Sequence, residues 1–136
     1  MKTLLSKQIM NFHADSFGIV HHARYLELME EARWLYCREN GLMEPFHQRG
    51  IYHVIVNINI DYVNSARVGD QIVILTELAK ASQSSIIFKQ KLIKDNNILV
   101  RADITNVYLN QANHCAIPCT KMADFWDDLH KIQNTS

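Results

Sequence analysis

A carboxylate, a glycine and two histidines stand close together near the start of the chain, in Asp15-Ser16-Phe17-Gly18-Ile19-Val20-His21-His22-Ala23-Arg24-Tyr25. An aspartate in such a setting takes a proton from water or attacks a carbonyl itself. On its own, Asp15 has a third reading, as a loop and capping residue ahead of a helix. His22 has three as well: it acts through its backbone N–H, through its imidazole, or not at all. The chemistry depends on the element that begins at these histidines. Tyr25, Leu28, Met29, Ala32 and Tyr36 recur at i, i+3, i+4, i+7 and i+11, one apolar stripe of an amphipathic helix. Glu27, Glu30, Glu31, Arg33 and Arg38 fall mostly off that stripe, and Gly41 suits the left-handed residue that closes a helix. The spacing predicts a helix over 21–40. First-turn N–H groups lack partners inside a helix and hold developing negative charge. A carboxylate beside such a helix end is the beginning of an acyl-transfer site.

The elements that must position this stretch come from the rest of the chain. Residues 3–13 read as a first strand and 15–20 as the loop. Residues 42–50 form a connector punctuated by Pro45 and Gly50, with room for one short helical turn. Residues 51–63 predict a strand, with Tyr52, Val54, Val56, Ile58, Ile60 and Tyr62 apolar at period two and His53, Asn57, Asn59 and Asp61 on the other face. Asn64-Ser65-Ala66 breaks it, and Gly69-Asp70 opens a strand over 71–80. A third long strand covers 86–94, Asp95-Asn96-Asn97 turns the chain, and a fourth covers 98–109. After a loop at 111–118, residues 119–131 predict a terminal helix, capped by Thr120 and striped by Met122, Phe125, Trp126 and Leu129. One long helix set against an antiparallel sheet of about five strands is an α+β design.

The stretch from Asp15 to Tyr25 resembles the hotdog-fold acyl-CoA thioesterases of the 4-hydroxybenzoyl-CoA thioesterase-like superfamily. Their pattern runs Asp-x-x-Gly-x-hydrophobe-x-(His/Asn/Tyr)-x-x-Tyr, followed by a helix with Glu and Ala-Arg. Here Glu30-Glu31-Ala32-Arg33 supplies the second part, and Gly69-Asp70 matches a further family feature. Many relatives carry an acidic residue two positions before the key aspartate, where this chain has His13. The resemblance spans nearly the whole chain. It implies a single hotdog domain over 1–136, a long central helix wrapped by a curved antiparallel sheet. It also implies hydrolysis of acyl-CoA thioesters, with Asp15 and His22 catalytic and Gly18, Val20 and Tyr25 binding substrate. His22 would act first through its amide, and His21 has only a structural reading. A thiolate is already a competent leaving group, so no metal or redox cofactor is needed. The family's sites lie between protomers, which implies a homodimer, with dimers pairing into a homotetramer. Glu30-Glu31-Ala32-Arg33-Trp34 is most similar to the branch that acts on longer fatty acyl-CoAs. The alternatives are an aromatic acyl-CoA or acyl carrier protein thioesterase, or a non-catalytic acyl-CoA binding or sensor module. A binder has no need of a carboxylate beside the thioester.

The totals exclude other classes. Fourteen basic and fourteen acidic residues in 136 give no net charge, so nothing calls for nucleic acid or an anionic membrane surface. There is no run of 18 apolar residues to cross a membrane, and the apolar patch at the N-terminus is too short for a signal peptide. Cys37, Cys115 and Cys119, odd in number, fit a reducing compartment, and a cytoplasmic enzyme is expected. His114-Cys115-x₃-Cys119 lacks the second pair that a structural zinc site needs. No Gly-x-Ser-x-Gly elbow or Gly-rich phosphate loop occurs. Lys89, Lys91, Lys94 and Arg101 are candidates for the phosphates of coenzyme A, or else a solvated sheet face.

Overall fold

A computed structural model describes residues 2–42 and 50–118. Its elements are β1 (Lys2–Gln8), a 3₁₀ turn (Asn11–His13), α1 (His22–Glu39), β2 (Ile51–Tyr62), β3 (Gln71–Ala81), β4 (Ile86–Lys94), β5 (Asn97–Asn110) and β6 (Ala116–Ile117). The strands form one antiparallel sheet in the order β1-β3-β4-β5-β2, with the two-residue β6 added beside the end of β5. The sheet therefore has six strands, the sixth lying inside the stretch read as loop. The terminal helix over 119–131, Cys119 and the helical turn after Leu42 lie outside the described residues.

The helix begins and ends as its residues require. His21 caps it, its Nδ1 accepting the Ala23 N–H at 3.2 Å. At the other end Gly41 sits at φ +69°, the Leu42 N–H reaches back to the Cys37 carbonyl at 2.8 Å, and Leu42 is buried. That is a Schellman closure with its apolar contact. Tyr25, Leu28, Met29, Ala32 and Tyr36 are all buried, against Ile72, Ile74 and Leu78 of β3, Phe88 and Leu92 of β4 and Ile104 of β5 within one core. The β4–β5 hairpin turns through Asp95 at φ +49° and Asn96 at φ +65°, the left-handed pair of a two-residue turn.

Three expectations change. The first strand stops at Gln8, because the chain winds into the 3₁₀ turn, where the Met10 N–H bonds to His13 Nδ1 at 2.9 Å. Arg33 is not off the stripe. It lies four residues beyond Met29 and four before Cys37, on the buried face, with 8% exposure. Its Nη1 donates to Gln90 Oε1 at 2.9 Å, and Gln90 Nε2 donates to the Met29 carbonyl and to Thr76 Oγ1, each at 2.9 Å. The alternation of β2 also fails midway. Ile55 pairs with Asn106 but Asn57 with Thr105, so Val56 is an extra residue, a β-bulge. Before the bulge Ile51, His53 and Ile55 share the face of the buried Asn106 and Tyr108; after it Ile58, Ile60 and Tyr62 share that of Ile104 and Val100. Tyr52 and Val54 are thus on the outer face, and His53 turns toward α1. Lys89 and Lys91 lie on the sheet face opposite Phe88 and Leu92, as their alternation in sequence implies, while Lys94 and Arg101 are engaged with Asp70 and Asp61.

Candidate active site

The Asp15 loop is a turn stitched to its neighbours. The Gly18 N–H donates to the Asp15 carbonyl at 3.1 Å, the Asp15 N–H to the Ile19 carbonyl at 2.9 Å, and Gly18 takes φ +77°. A residue with a Cβ is strained at that angle, which explains the glycine by conformation. The Val20 N–H bonds to the Ala66 carbonyl at 2.9 Å, and Ile19 bridges to Arg67. The loop is thereby pinned to the crossover between β2 and β3. The His21 N–H bonds to the His13 carbonyl at 3.1 Å. Asp70 secures the far side of that crossover through Lys94 Nζ at 2.9 Å and the Arg67 N–H at 2.8 Å. Burial pushes the Asp70 carboxyl up, but these partners outweigh it and hold it below its ordinary range.

Asp15, Val20, His22, Tyr25 and Tyr62, with the Val63–Ser65 stretch, line one cleft of about 300 Å³. The structure thus brings together Asp15, His22, Val20 and Tyr25 of the five residues singled out. Gly18 is not among the lining residues; it shapes the turn behind them. Tyr25 is 3% exposed and its hydroxyl accepts the Ala66 N–H at 2.9 Å. Burial raises its pKa, with the Ala66 bond opposing.

Asp15 Oδ1 accepts the Phe17 N–H at 2.8 Å. His22 is the first residue of α1, and its N–H makes no hydrogen bond among the described residues. Its carbonyl accepts the Tyr62 hydroxyl at 3.3 Å, its ring lies 4.2 Å from that of His21, and Tyr62 stands edge-on 6.5 Å away. His21 also lines the cleft, with its Nδ1 taken by the capping bond. His13, at the position often acidic in relatives, has its pKa lowered by burial and by Lys7 and Arg24. The wall from Tyr62 to Ser65 was not legible as part of a site. Asn64-Ser65-Ala66 reads only as a strand breaker, and the bridge between Ile19 and Arg67 is invisible in sequence.

A free amide at a helix head and a carboxylate facing one cleft suit attack on a polarised carbonyl. Among the described residues no three His, Cys, Asp or Glu side chains gather to hold a metal ion, and no helix is long and apolar enough to cross a membrane.

Comparison with known proteins bears on the family and the fold. Residues 17–101 match the model of the thioesterase superfamily. The long-chain acyl-CoA thioesterase FadM of Escherichia coli is 32% identical over 96 residues, 71% of this chain and 73% of that protein. The acyl-CoA thioesterase YbgC of Haemophilus influenzae is 29% identical over 92 residues, 66% of this chain and 68% of that one. A solved 4-hydroxybenzoyl-CoA thioesterase, complexed with 4-hydroxybenzoyl-CoA, superposes with a TM-score of 0.84 at 21% identity, covering 94% of this chain and 98% of its own. That last likeness establishes the hotdog architecture.

Proposed function

The chain belongs to the thioesterase superfamily, and from that membership we propose that it hydrolyses acyl-CoA thioesters, fatty acyl-CoAs foremost, to the free acid and CoA. The observation that carries the reading is the shared cleft of Asp15 and the unpaired His22 N–H. The thioester carbonyl accepts that N–H. Asp15 removes a proton from water as the water oxygen bonds to the carbonyl carbon, and the oxyanion rests on the amide at the head of α1. Collapse of the tetrahedral species expels the CoA thiolate. In the covalent variant Asp15 itself attacks, CoA leaves, and water cleaves the resulting anhydride. Val20 and Tyr25 wall the reacting carbonyl, and Gly18 sets the turn that aims Asp15.

The protein works as a homodimer, with dimers pairing into a homotetramer. β2 lies at the edge of the sheet, twelve residues long, with Val56 56% and Ile55 42% exposed. A long apolar edge is a liability that pairing with a second copy removes. The free thiols of Cys37 and Cys115 fit a cytoplasmic enzyme of lipid metabolism. Thiol release from a panel of fatty and aromatic acyl-CoAs and acyl carrier protein thioesters tests the proposal. Turnover of fatty acyl-CoA supports it; tight binding with no release of thiol from any ester makes the chain an acyl-CoA binding module.

A further inference from the structure

A second cavity, of about 380 Å³, lies further along the same side of the molecule, between the C-terminal half of α1 and the first half of β2. Its wall is mostly apolar, from Trp34, Cys37, Ile55 and Phe88. The bulge at Val56 makes it, by turning His53 and Ile55 inward. At its polar end stand His53, Arg33, Glu30 and Asn106.

Asn106 is the informative residue. It sits on β5 opposite Ile55, is 1% exposed, and its Nδ2 is buried without an acceptor among the described residues. Its other contact is a side-chain hydrogen bond with His53. A buried amide donor without a partner is rare and costly unless something else supplies the acceptor. Arg33 is paired with Gln90 and has Glu30 three residues before it on the helix. Burial lowers the pKa of His53 from 6.5, so the ring is neutral at pH 7. Among the described residues, the one buried polar side-chain atom of this lining without a partner is Asn106 Nδ2, a neutral and strongly directional donor at the end of an apolar chamber.

The chamber is also placed to receive a chain. Trp34 lies twelve residues beyond His22 in α1, about 18 Å at the rise of a helix. Ile58 and Ile60 lie between the two sites on the inward face of β2. An extended chain of roughly 12–14 carbons spans that distance.

We propose that this cavity holds the distal end of the substrate's acyl chain, and that Asn106 makes it favour chains bearing an uncharged oxygen, hydroxyl or keto, at that end. The proposal rests on the assignment of acyl-CoA as substrate and adds a substrate class to it.

The test compares kcat/KM for unsubstituted, ω-hydroxy and ω-carboxy acyl-CoAs across chain lengths, each normalised to a short acyl-CoA with the same protein. The ω-hydroxy ester should exceed its unsubstituted counterpart roughly 3- to 10-fold near 12–14 carbons, the worth of one buried hydrogen bond, and show no advantage when short. Asn106→Leu should bring that ratio to about one. Ile55→Trp, which puts a larger ring into the cavity wall, should depress long chains relative to short ones in protein whose oligomer size is unchanged by light scattering, Ile55 also lying on the β2 edge. A flat ratio at every length, a ratio untouched by Asn106→Leu, or a preference for the ω-carboxy ester overturns the proposal. Calorimetric binding of the same esters to Asp15→Asn reads the cavity independently of turnover. A protein that hydrolyses nothing yet binds ω-hydroxy esters preferentially loses the thioesterase reading and keeps this one.

Discussion

Asp15 is tied to its own loop by one carboxylate oxygen: Oδ1 accepts the Phe17 N–H at 2.8 Å. This Asx turn sets the direction of the side chain. An asparagine repeats the bond through its own Oδ1 while losing the charge and the basicity. The geometry therefore separates the structural use of Asp15 from the chemical one, and lets a single isosteric change address the chemistry alone.

The helix head yields the first prediction. The His22 N–H is the unpaired amide, so His22→Ala, which retains it, should keep much of the activity. His22→Pro removes the N–H at a first-turn position where proline fits, and should cost roughly 10²–10³-fold in kcat with an unchanged melting temperature. If alanine is as damaging as proline, the imidazole is the working group.

The buried hydrogen bonds of Gln90 give a second. Gln90→Leu leaves the Arg33 guanidinium, the Met29 carbonyl and Thr76 Oγ1 without their partner. It should cost about 3 kcal/mol in urea denaturation, because a buried charge is then uncompensated. Adding Arg33→Met removes the charge as well and should recover part of the loss. An additive double variant would show that the two side chains are not coupled.

Arg33 also shows where sequence stops being informative. A charge in an amphipathic pattern reads as solvent-facing, and only the pairing of β3 with β4, which sets Thr76 beside Gln90, reveals the partner that lets it go inside. The helix itself was legible, 21–40 against His22–Glu39, because its stripe and its glycine are local signals. So were the long strands. The side of β2 was not, because a bulge is a property of two strands in register. Within the site, Asp15 and His22 are adjacent in sequence to the elements that aim them. The Tyr62–Ser65 wall comes from forty residues away and carries no chemical mark of its own.

The pH dependence of stability should fall in two stages. His53 and His13 both have pKa values lowered by burial from 6.5. Their contribution is whole above that value and is lost as pH falls through the lower folded values, since the unfolded chain takes up protons first. Asp70, held below 3.8, contributes above that value and loses its share as pH falls further. Denaturant midpoints between pH 7 and pH 3 should decline in mild acid and again near the acid end, and Asp70→Asn should flatten the second decline alone. A second decline unchanged by Asp70→Asn would show that Asp70 is not its source.

Light scattering at micromolar concentration should give a dimer or a tetramer, with β2 at the junction. Val56→Lys places a charge on the exposed edge and should shift the mass toward the monomer. A monomeric parent protein would contradict a site shared between copies.

The most direct measurement is the thiol-release rate of Asp15→Asn on a fatty acyl-CoA that the parent protein hydrolyses. A general base at Asp15 predicts a fold and oligomer unchanged by circular dichroism and light scattering, because the Phe17 N–H keeps its acceptor, and a fall in kcat of roughly 10²–10⁴-fold, the usual loss on removing such a group. A well-folded Asp15→Asn enzyme that turns over near the parental rate would contradict it.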